Sequence, residues 1–227
     1  ARTHRLEIAV RGGGHNVAGK AVCDGGLMID LSLMKGIHVD PARRTVRAQG
    51  GVTWREFNRE TQLHRLATTG GTISTTGIAG LTLGGGIGWL NGKYGLACDN
   101  LLSVDVVTAD GRLMTASASE NEDLFWGVRG GSGNFGIVTS FEYQLHPVGP
   151  VLGGMVLYEL SRGKEVLRFY REFAQAFPDE LSTAAMLVTA PDGTRAVAIL
   201  VCHCGAPAEG ETAVKPLRTF GSPIADK

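Results

Sequence analysis

Gly70-Gly-Thr-Ile-Ser-Thr-Thr-Gly-Ile-Ala-Gly-Leu-Thr-Leu-Gly-Gly-Gly-Ile-Gly88 joins two compositions that rarely occur together. From Gly70 to Gly95, 10 of 26 residues are glycine, with Ser74, Thr75 and Thr76 among them. Such a stretch is ordinarily a flexible linker. It also carries Ile73, Ile78, Leu81, Leu83, Ile87, Trp89 and Leu90, for which a solvated linker has no use. The combination predicts a buried segment whose backbone wraps a ligand. A second glycine loop, Arg11-Gly-Gly-Gly-His-Asn16, stands upstream. Consecutive glycines let main-chain N–H groups converge on an anion with no side chain in the way. Either loop alone reads as a tight turn. Two in one domain, with hydroxyls beside the second, point to ligand binding, and a neutral chain can hold a diphosphate with main-chain donors rather than a lysine patch.

The bulk composition is consistent with that reading. The chain has 227 residues, enough for one large domain or two small ones. Lys plus Arg and Asp plus Glu both number 22, so no long-range field draws nucleic acid or an anionic membrane, and neither is expected as a partner. A hydrophobic share of 43% supplies a core and excludes disorder. No apolar run has the length of a membrane span. Four cysteines in a chain this long do not make a disulfide scaffold. The 33 glycines follow no period, which excludes collagen. Ala1 is not an initiator Met, Ala1 to Leu6 reads as the tail of a helix, and Gly221 to Lys227 trails off without closing an element. The chain therefore reads as a fragment. No secretory leader is visible; a cytoplasmic location is expected, with secretion left open by the trimmed start.

Elements follow from periodicity and turn chemistry. Strands are expected at Glu7–Val10 and Gly26–Leu33, the latter apolar on both faces. Ile37–Asp40 and Thr45–Gln49 flank Pro41-Ala-Arg-Arg44 as a hairpin. Thr53-Trp-Arg-Glu56 is a capping box opening a helix to about His64. Leu101–Thr108, Ala109-Asp-Gly111 and Arg112–Ala116 form a second hairpin. Ser119-Glu-Asn-Glu122 reads as another capping box, opening a helix to Val128, and Ile137–Leu145 alternates as a strand. His146-Pro-Val-Gly-Pro150 marks a domain boundary. Beyond it come a strand (Met155–Leu160), a helix (Glu165–Phe177), a strand (Ser182–Thr189), a turn at Pro191-Asp-Gly193, a strand (Arg195–Cys202) and a short helix after Pro207. The fold class is α+β, with domains over 1–146 and 151–227 and an antiparallel sheet in the second.

Several motifs are turned down. Gly131-Ser-Gly-Asn-Phe-Gly136 matches the dinucleotide fingerprint literally, but that fingerprint needs a strand before it and a helix after it, the reverse of the order here. No Gly-Lys-Ser or Gly-Lys-Thr of a phosphate loop occurs, and no Ser-His-Asp order or nucleophile elbow. Cys202-His-Cys204 places its cysteines on one strand face and His203 on the other, with no partner pair, so core packing is the better reading and no metal is expected. Cys23 also lacks a partner. Taken alone, Cys98 reads as a structural thiol. His15 differs from an ordinary histidine only in following three glycines, where a backbone can approach a ligand.

Four motifs occur in order: Arg11-Gly-Gly-Gly-His-Asn16, the Gly70–Gly88 segment, Tyr94-Gly-Leu-Ala-Cys-Asp-Asn100 and Arg129-Gly-Gly-Ser-Gly-Asn-Phe-Gly-Ile-Val138. Together they resemble the vanillyl-alcohol oxidase/p-cresol methylhydroxylase flavoproteins, most closely the berberine-bridge-enzyme and oligosaccharide-oxidase branch. The resemblance is close from Glu7 to Pro150 and looser beyond. It implies an FAD-binding domain of two α+β subdomains followed by a substrate domain on an antiparallel sheet, both incomplete here. It implies FAD as cofactor, bonded covalently through His15 to the 8α-methyl carbon and through Cys98 to C6. Arg11, Gly12, Gly13, Gly14 and Asn16 would cradle the diphosphate and ribityl chain. So would Gly70, Gly71, Ser74, Thr75, Thr76, Gly77, Gly80, Gly84, Gly85, Gly86 and Gly88. Val138 matches a position whose backbone meets the nucleotide side, and Tyr94 and Asp99 flank the thioether cysteine.

By the same resemblance the activity is an FAD-linked oxidation of an alcohol- or amine-type C–H by hydride transfer to flavin N5, with dioxygen or another acceptor reoxidising the flavin. The substrate is a small molecule: a sugar, an aromatic alcohol or a cyclic amine. Tyr158, Glu159 and His203 are available as a base, but nothing in the sequence selects one. Two alternatives stay open, an NADPH-dependent flavin reductase of related fold and a non-catalytic FAD-binding domain. The oligomeric state is not legible.

Overall fold

A computed structural model describes every residue except Pro191, with Arg2 described by its backbone alone. The chain divides into two compact units, Ala1–Pro147 and Val148–Lys227. Among the described residues no helix is long and apolar enough to cross a membrane.

In the first unit the elements run β1 (Ile8–Arg11), β2 (Leu27–Asp30), β3 (Ile37–Asp40), β4 (Thr45–Gln49), α1 (Trp54–Gln62), β5 (Leu66–Ala67), α2 (Ile78–Leu83) and α3 (Asn91–Tyr94). They continue through β6 (Leu101–Val107), β7 (Leu113–Ser117), α4 (Glu122–Val128), β8 (Ile137–Gln144) and β9 (His146–Pro147). β1 and β2 form a parallel pair, and β5 and β9 a small antiparallel one. The main sheet is antiparallel in the order β3-β4-β8-β6-β7.

Strand alternation sorts this main sheet into two faces. Val46, Ala48, Val104, Phe141 and Tyr143 point into the core with Trp54 and Phe57 of α1 and Ile78 and Leu83 of α2. The rings pack edge to face, Trp54 on Phe57 at 5.0 Å and Phe57 on Tyr143 at 5.4 Å between centroids. The other face is polar: Arg47 pairs with Asp105 and lies 3.8 Å from Glu142, which also accepts from Ser103 at 2.7 Å.

α1 forms where its capping box predicts. One Glu56 carboxylate oxygen accepts from the Thr53 N–H at 2.8 Å and the Thr53 hydroxyl at 2.7 Å, and Lys35 reaches it at 2.7 Å. Trp54, Phe57 and Thr61, at helical spacing, form the buried face. The second capping box is corrected. α4 starts at Glu122 behind Asn121, whose backbone is left-handed, while the Ser119 N–H instead bonds the Ser117 hydroxyl at 3.3 Å. Gly26–Leu33 shortens to β2 with three of its four residues exposed, and Ala1–Leu6 holds one 3-10 turn at Arg2–His4.

The second unit runs β10 (Leu152–Glu159), α5 (Gly163–Phe173), β11 (Leu181–Thr189), β12 (Arg195–His203), α6 (Pro207–Thr219) and β13 (Ala225–Asp226). Its antiparallel sheet has the order β11-β12-β10-β13. Val156, Tyr158, Val197 and Ile199 meet Val166 of α5 and Val214 and Leu217 of α6 in one core. α5 stops at Phe173, short of Phe177, and the helix after Pro207 is a full 13 residues rather than short. Of the turn expected at Pro191-Asp-Gly193, Pro191 lies outside the described residues; Asp192 closes it by accepting the Thr194 N–H at 2.9 Å.

Candidate functional site

The first glycine loop leaves β1 and lands on the second. A Cβ on Gly13 would lie 2.6 Å from Gly77 Cα and collide with the Gly77 nitrogen; one on Gly77 would lie 2.9 Å from Gly13 Cα. Both positions require glycine because the two backbones touch there. A side chain at Gly13 would strike the Gly77 backbone even in the free chain.

The Gly70–Gly88 segment closes on itself in the same way. A Cβ on Gly88 would collide with the Gly70 carbonyl, and one on Gly70 would collide with the Trp54 ring. Between these anchors the chain makes α2, whose Ile78 and Leu83 enter the core while Ile73 and Ile87 stay exposed, Ile87 at 73%. The segment is thus half buried, not buried throughout. Gly80 in α2 and Gly85 beyond it are the open positions: a Cβ on Gly80 meets nothing within 4 Å, and one on Gly85 only the Leu96 side chain at 3.7 Å.

Main-chain donors collect where these loops meet. The N–H groups of Gly12, Gly13, Gly14, His15 and Asn16 reach no protein acceptor among the described residues, and neither do those of Ser74 and Thr75. The Asn16 carboxamide accepts instead from the Ala18 and Lys20 N–H groups, each at 3.1 Å, and so holds the loop exit. Arg11 lies 3.9 Å from Asp30 across the β1–β2 pair. Unpaired N–H groups among glycines are donors available to an anion without a basic patch.

His15 and Cys98 are fastened to different parts of the same segment. His15 Nε2 lies 3.0 Å from the Thr75 hydroxyl and Nδ1 3.3 Å from that of Thr76. Cys98, 5% exposed, donates its N–H to the Gly85 carbonyl at 2.9 Å, and Ala97 donates to Gly86 at 2.8 Å. Burial, then the Asp99 carboxylate, push the Cys98 thiol above its ordinary value, and Arg129 opposes them.

Tyr94 belongs to a neighbouring cluster. Its ring stacks on His146, 4.1 Å between centroids and 11° from parallel. His146 Nε2 lies 2.6 Å from Asn100 Oδ1, and the Asn100 amide donates to the Tyr94 and Leu96 carbonyls at 2.8 Å each. With both amide protons committed, Asn100 Oδ1 must accept and Nε2 of His146 carries the proton. Val138 is buried in the sheet core; its carbonyl backs onto Gly50, where a Cβ would come within 2.6 Å.

Asn100, Arg129 and His146 were not singled out from the sequence. Arg129 stood inside a quoted motif, but nothing in the residue string aims it at Cys98. Of the residues available as a base, Tyr158 is buried with its hydroxyl donating to the Leu217 carbonyl, and His203 is 1% exposed and packed on Gly205 and Gly210. Both serve the second core. Cys202, His203 and Cys204 are buried, and no metal-holding cluster occurs among the described residues.

The sequence model of the FAD binding domain family matches residues 1–117. An FAD-linked oxidoreductase of Dictyostelium discoideum is 35% identical over 229 residues, covering 100% of this chain and 49% of that protein. The crystal structure of 6-hydroxy-D-nicotine oxidase from Arthrobacter nicotinovorans superposes with a TM-score of 0.94 at 35% identity, covering 100% of this chain and 51% of that one. A chitooligosaccharide oxidase superposes with a TM-score of 0.85 at 27% identity, covering 99% and 48%. The chain spans about half the length of the curated relatives it matches. These are the flavoproteins that the four ordered motifs resemble. The chain belongs to the FAD-binding domain family, and FAD is its cofactor.

Proposed function

We propose that the chain is the FAD-carrying part of an oxidase or dehydrogenase acting on a small molecule with an oxidisable alcohol or amine C–H. The observation that carries the proposal is the run of main-chain donors from Gly12 to Asn16, closed against Gly77 and flanked by His15 and the Thr75 and Thr76 hydroxyls. That donor set suits a diphosphate, and it needs no side-chain cation in a chain of zero formal charge. FAD, when bound, supplies the redox chemistry: hydride acceptance at N5 and electron delivery to dioxygen or another acceptor.

The chain's own residues do the holding. The open positions Gly80 and Gly85 leave room along the segment, while Gly70, Gly77, Gly86 and Gly88 keep its backbone compact. His15 and Cys98 are the covalent attachment residues in this reading, each tethered to the Gly70–Gly88 segment. Ala1–Pro147 is the FAD-binding domain and Val148–Lys227 the beginning of a substrate domain. Cyclic amines and sugars are the substrate classes favoured, since the similar structures include a hydroxynicotine oxidase and a chitooligosaccharide oxidase.

The holoprotein, mixed anaerobically with a panel of cyclic amines, aromatic alcohols and oligosaccharides, should lose its flavin absorbance with one class and regain it on admission of air. Bleaching by NADPH alone would replace this reading with a flavin reductase, and bleaching by none with a carrier domain.

A further inference from the structure

Cys98 is held on several sides. Its N–H donates to Gly85, its carbonyl accepts from Arg129 Nε at 3.0 Å, and its Sγ lies 3.9 Å from Asp99 Oδ1. Asp99 is itself divided between neighbours. Oδ2 accepts the Leu96 N–H at 2.9 Å, and Oδ1 faces Arg129 Nη2 at 3.6 Å. The Arg129 guanidinium lies over the Phe125 ring, 5.3 Å from its centroid. One carboxylate oxygen therefore lies within reach of both a thiol proton and a guanidinium.

A carboxylate beside a thiol accepts its hydrogen bond and repels the thiolate; a cation opposes both effects. α2 and the Gly84–Gly86 turn, which pack against Ala97–Asn100, carry no ionisable side chain. α3 brings Lys93 and Tyr94 to the same turn, and His146 reaches Asn100, but the charged side chains acting on Cys98 are Asp99 and Arg129. Cys202 provides a contrast: burial and Cys204 raise its thiol, and no cation opposes them.

We propose that Arg129 is the positioning residue for Cys98, pinning its carbonyl and pairing with Asp99 so that this carboxylate does not hold the thiol in its unreactive, protonated form. The inference rests on the reading of Cys98 as an attachment residue and names the residue that prepares it. Arg129 thereby has a role independent of bound flavin.

The test is alkylation of the FAD-free full chain by iodoacetamide between about pH 6 and 10, with modification at each cysteine read by peptide mass. In this reaction the thiolate displaces iodide and the thiol proton passes to solvent. Arg129→Gln should move the Cys98 midpoint up by about one pH unit, roughly tenfold slower alkylation below both midpoints. Arg129→Lys should retain most of the wild-type profile, Asp99→Asn should move the midpoint down, and the Cys202 profile should stay fixed in all three. A Cys98 profile in Arg129→Gln that coincides with wild type overturns the proposal. Should Arg129→Gln fail to fold, seen by circular dichroism and by Cys202 becoming reactive, Asp99→Asn decides: an unmoved or raised midpoint overturns the proposal. Absence of flavin mass on the Cys98 peptide of reconstituted wild type refutes attachment at Cys98 and leaves the alkylation result to be judged separately.

Discussion

Gly13 and Gly77 lie backbone against backbone, so that neither can carry a side chain while the two glycine loops remain in contact. This contact, formed by the chain alone, brings the donor run of the first loop to the segment that fastens His15 and Cys98. Gly13→Ala should therefore destabilise even the FAD-free chain, by about 1–3 kcal/mol for an overpacked site. Thermal melts of FAD-free wild type and variant check this. Equal melting temperatures, with flavin retention alone reduced, would mean that the glycine serves the ligand and not the loop contact.

Gly80 is the complementary case. It sits in α2 with open space at its Cβ position. Gly80→Leu should leave the FAD-free chain as stable as wild type or better by up to about 1 kcal/mol, because Leu is a good helix former. It should nonetheless weaken flavin retention, read by absorbance after gel filtration. Full retention would place the ligand away from α2.

Glu56 caps the start of α1 through Thr53 and ties it to Lys35, just ahead of β3. Burial works against its charged form, but the Lys35 and Thr53 hydrogen bonds bring its pKa from 4.5 down to about 2. A carboxyl depressed in the fold stabilises above its unfolded value and loses that contribution as pH falls through its folded one. Glu56→Gln should cost about 1 kcal/mol near neutral pH, the usual size of a lost cap. The gap between the two melting curves should close as pH drops from 4.5 toward 2. A gap independent of pH would show that the carboxylate charge contributes nothing.

His146 carries the opposite pH signature to a paired histidine. Desolvation pulls its pKa below 6.5, so the fold favours the neutral ring that stacks on Tyr94. A base held neutral costs nothing above its unfolded pKa and destabilises as pH falls below it, because the unfolded chain binds the proton first. The FAD-free chain should lose stability from neutral pH to about pH 5, and His146→Gln should lose less over that interval. Parallel losses in the two proteins would remove His146 from this account.

What the sequence made legible was local. α1 was visible because Thr53 and Glu56 are close in sequence and satisfy each other, and the β3–β4 and β6–β7 hairpins because their turns carry their own chemistry. α2 was not, since Gly80 hides a helix whose support is tertiary packing of Ile78 and Leu83. Asn121 in a left-handed conformation displaced the start expected at Ser119, a backbone detail that no residue pattern encodes. In the site, the glycine runs announced close approach but not what they approach. Gly13 meets Gly77 across 64 positions, and Arg129 meets Cys98 across 31, and such pairings exist only once the chain has folded.

The central claim is that FAD is held by the two glycine loops and bonded at both His15 and Cys98. Intact mass of the reconstituted protein after denaturation tests it most directly. Wild type, His15→Ala and Cys98→Ala should each keep a mass increment of one FAD, and the double variant, folded by circular dichroism, should keep none. A wild-type protein that releases all its flavin on denaturation would contradict the account.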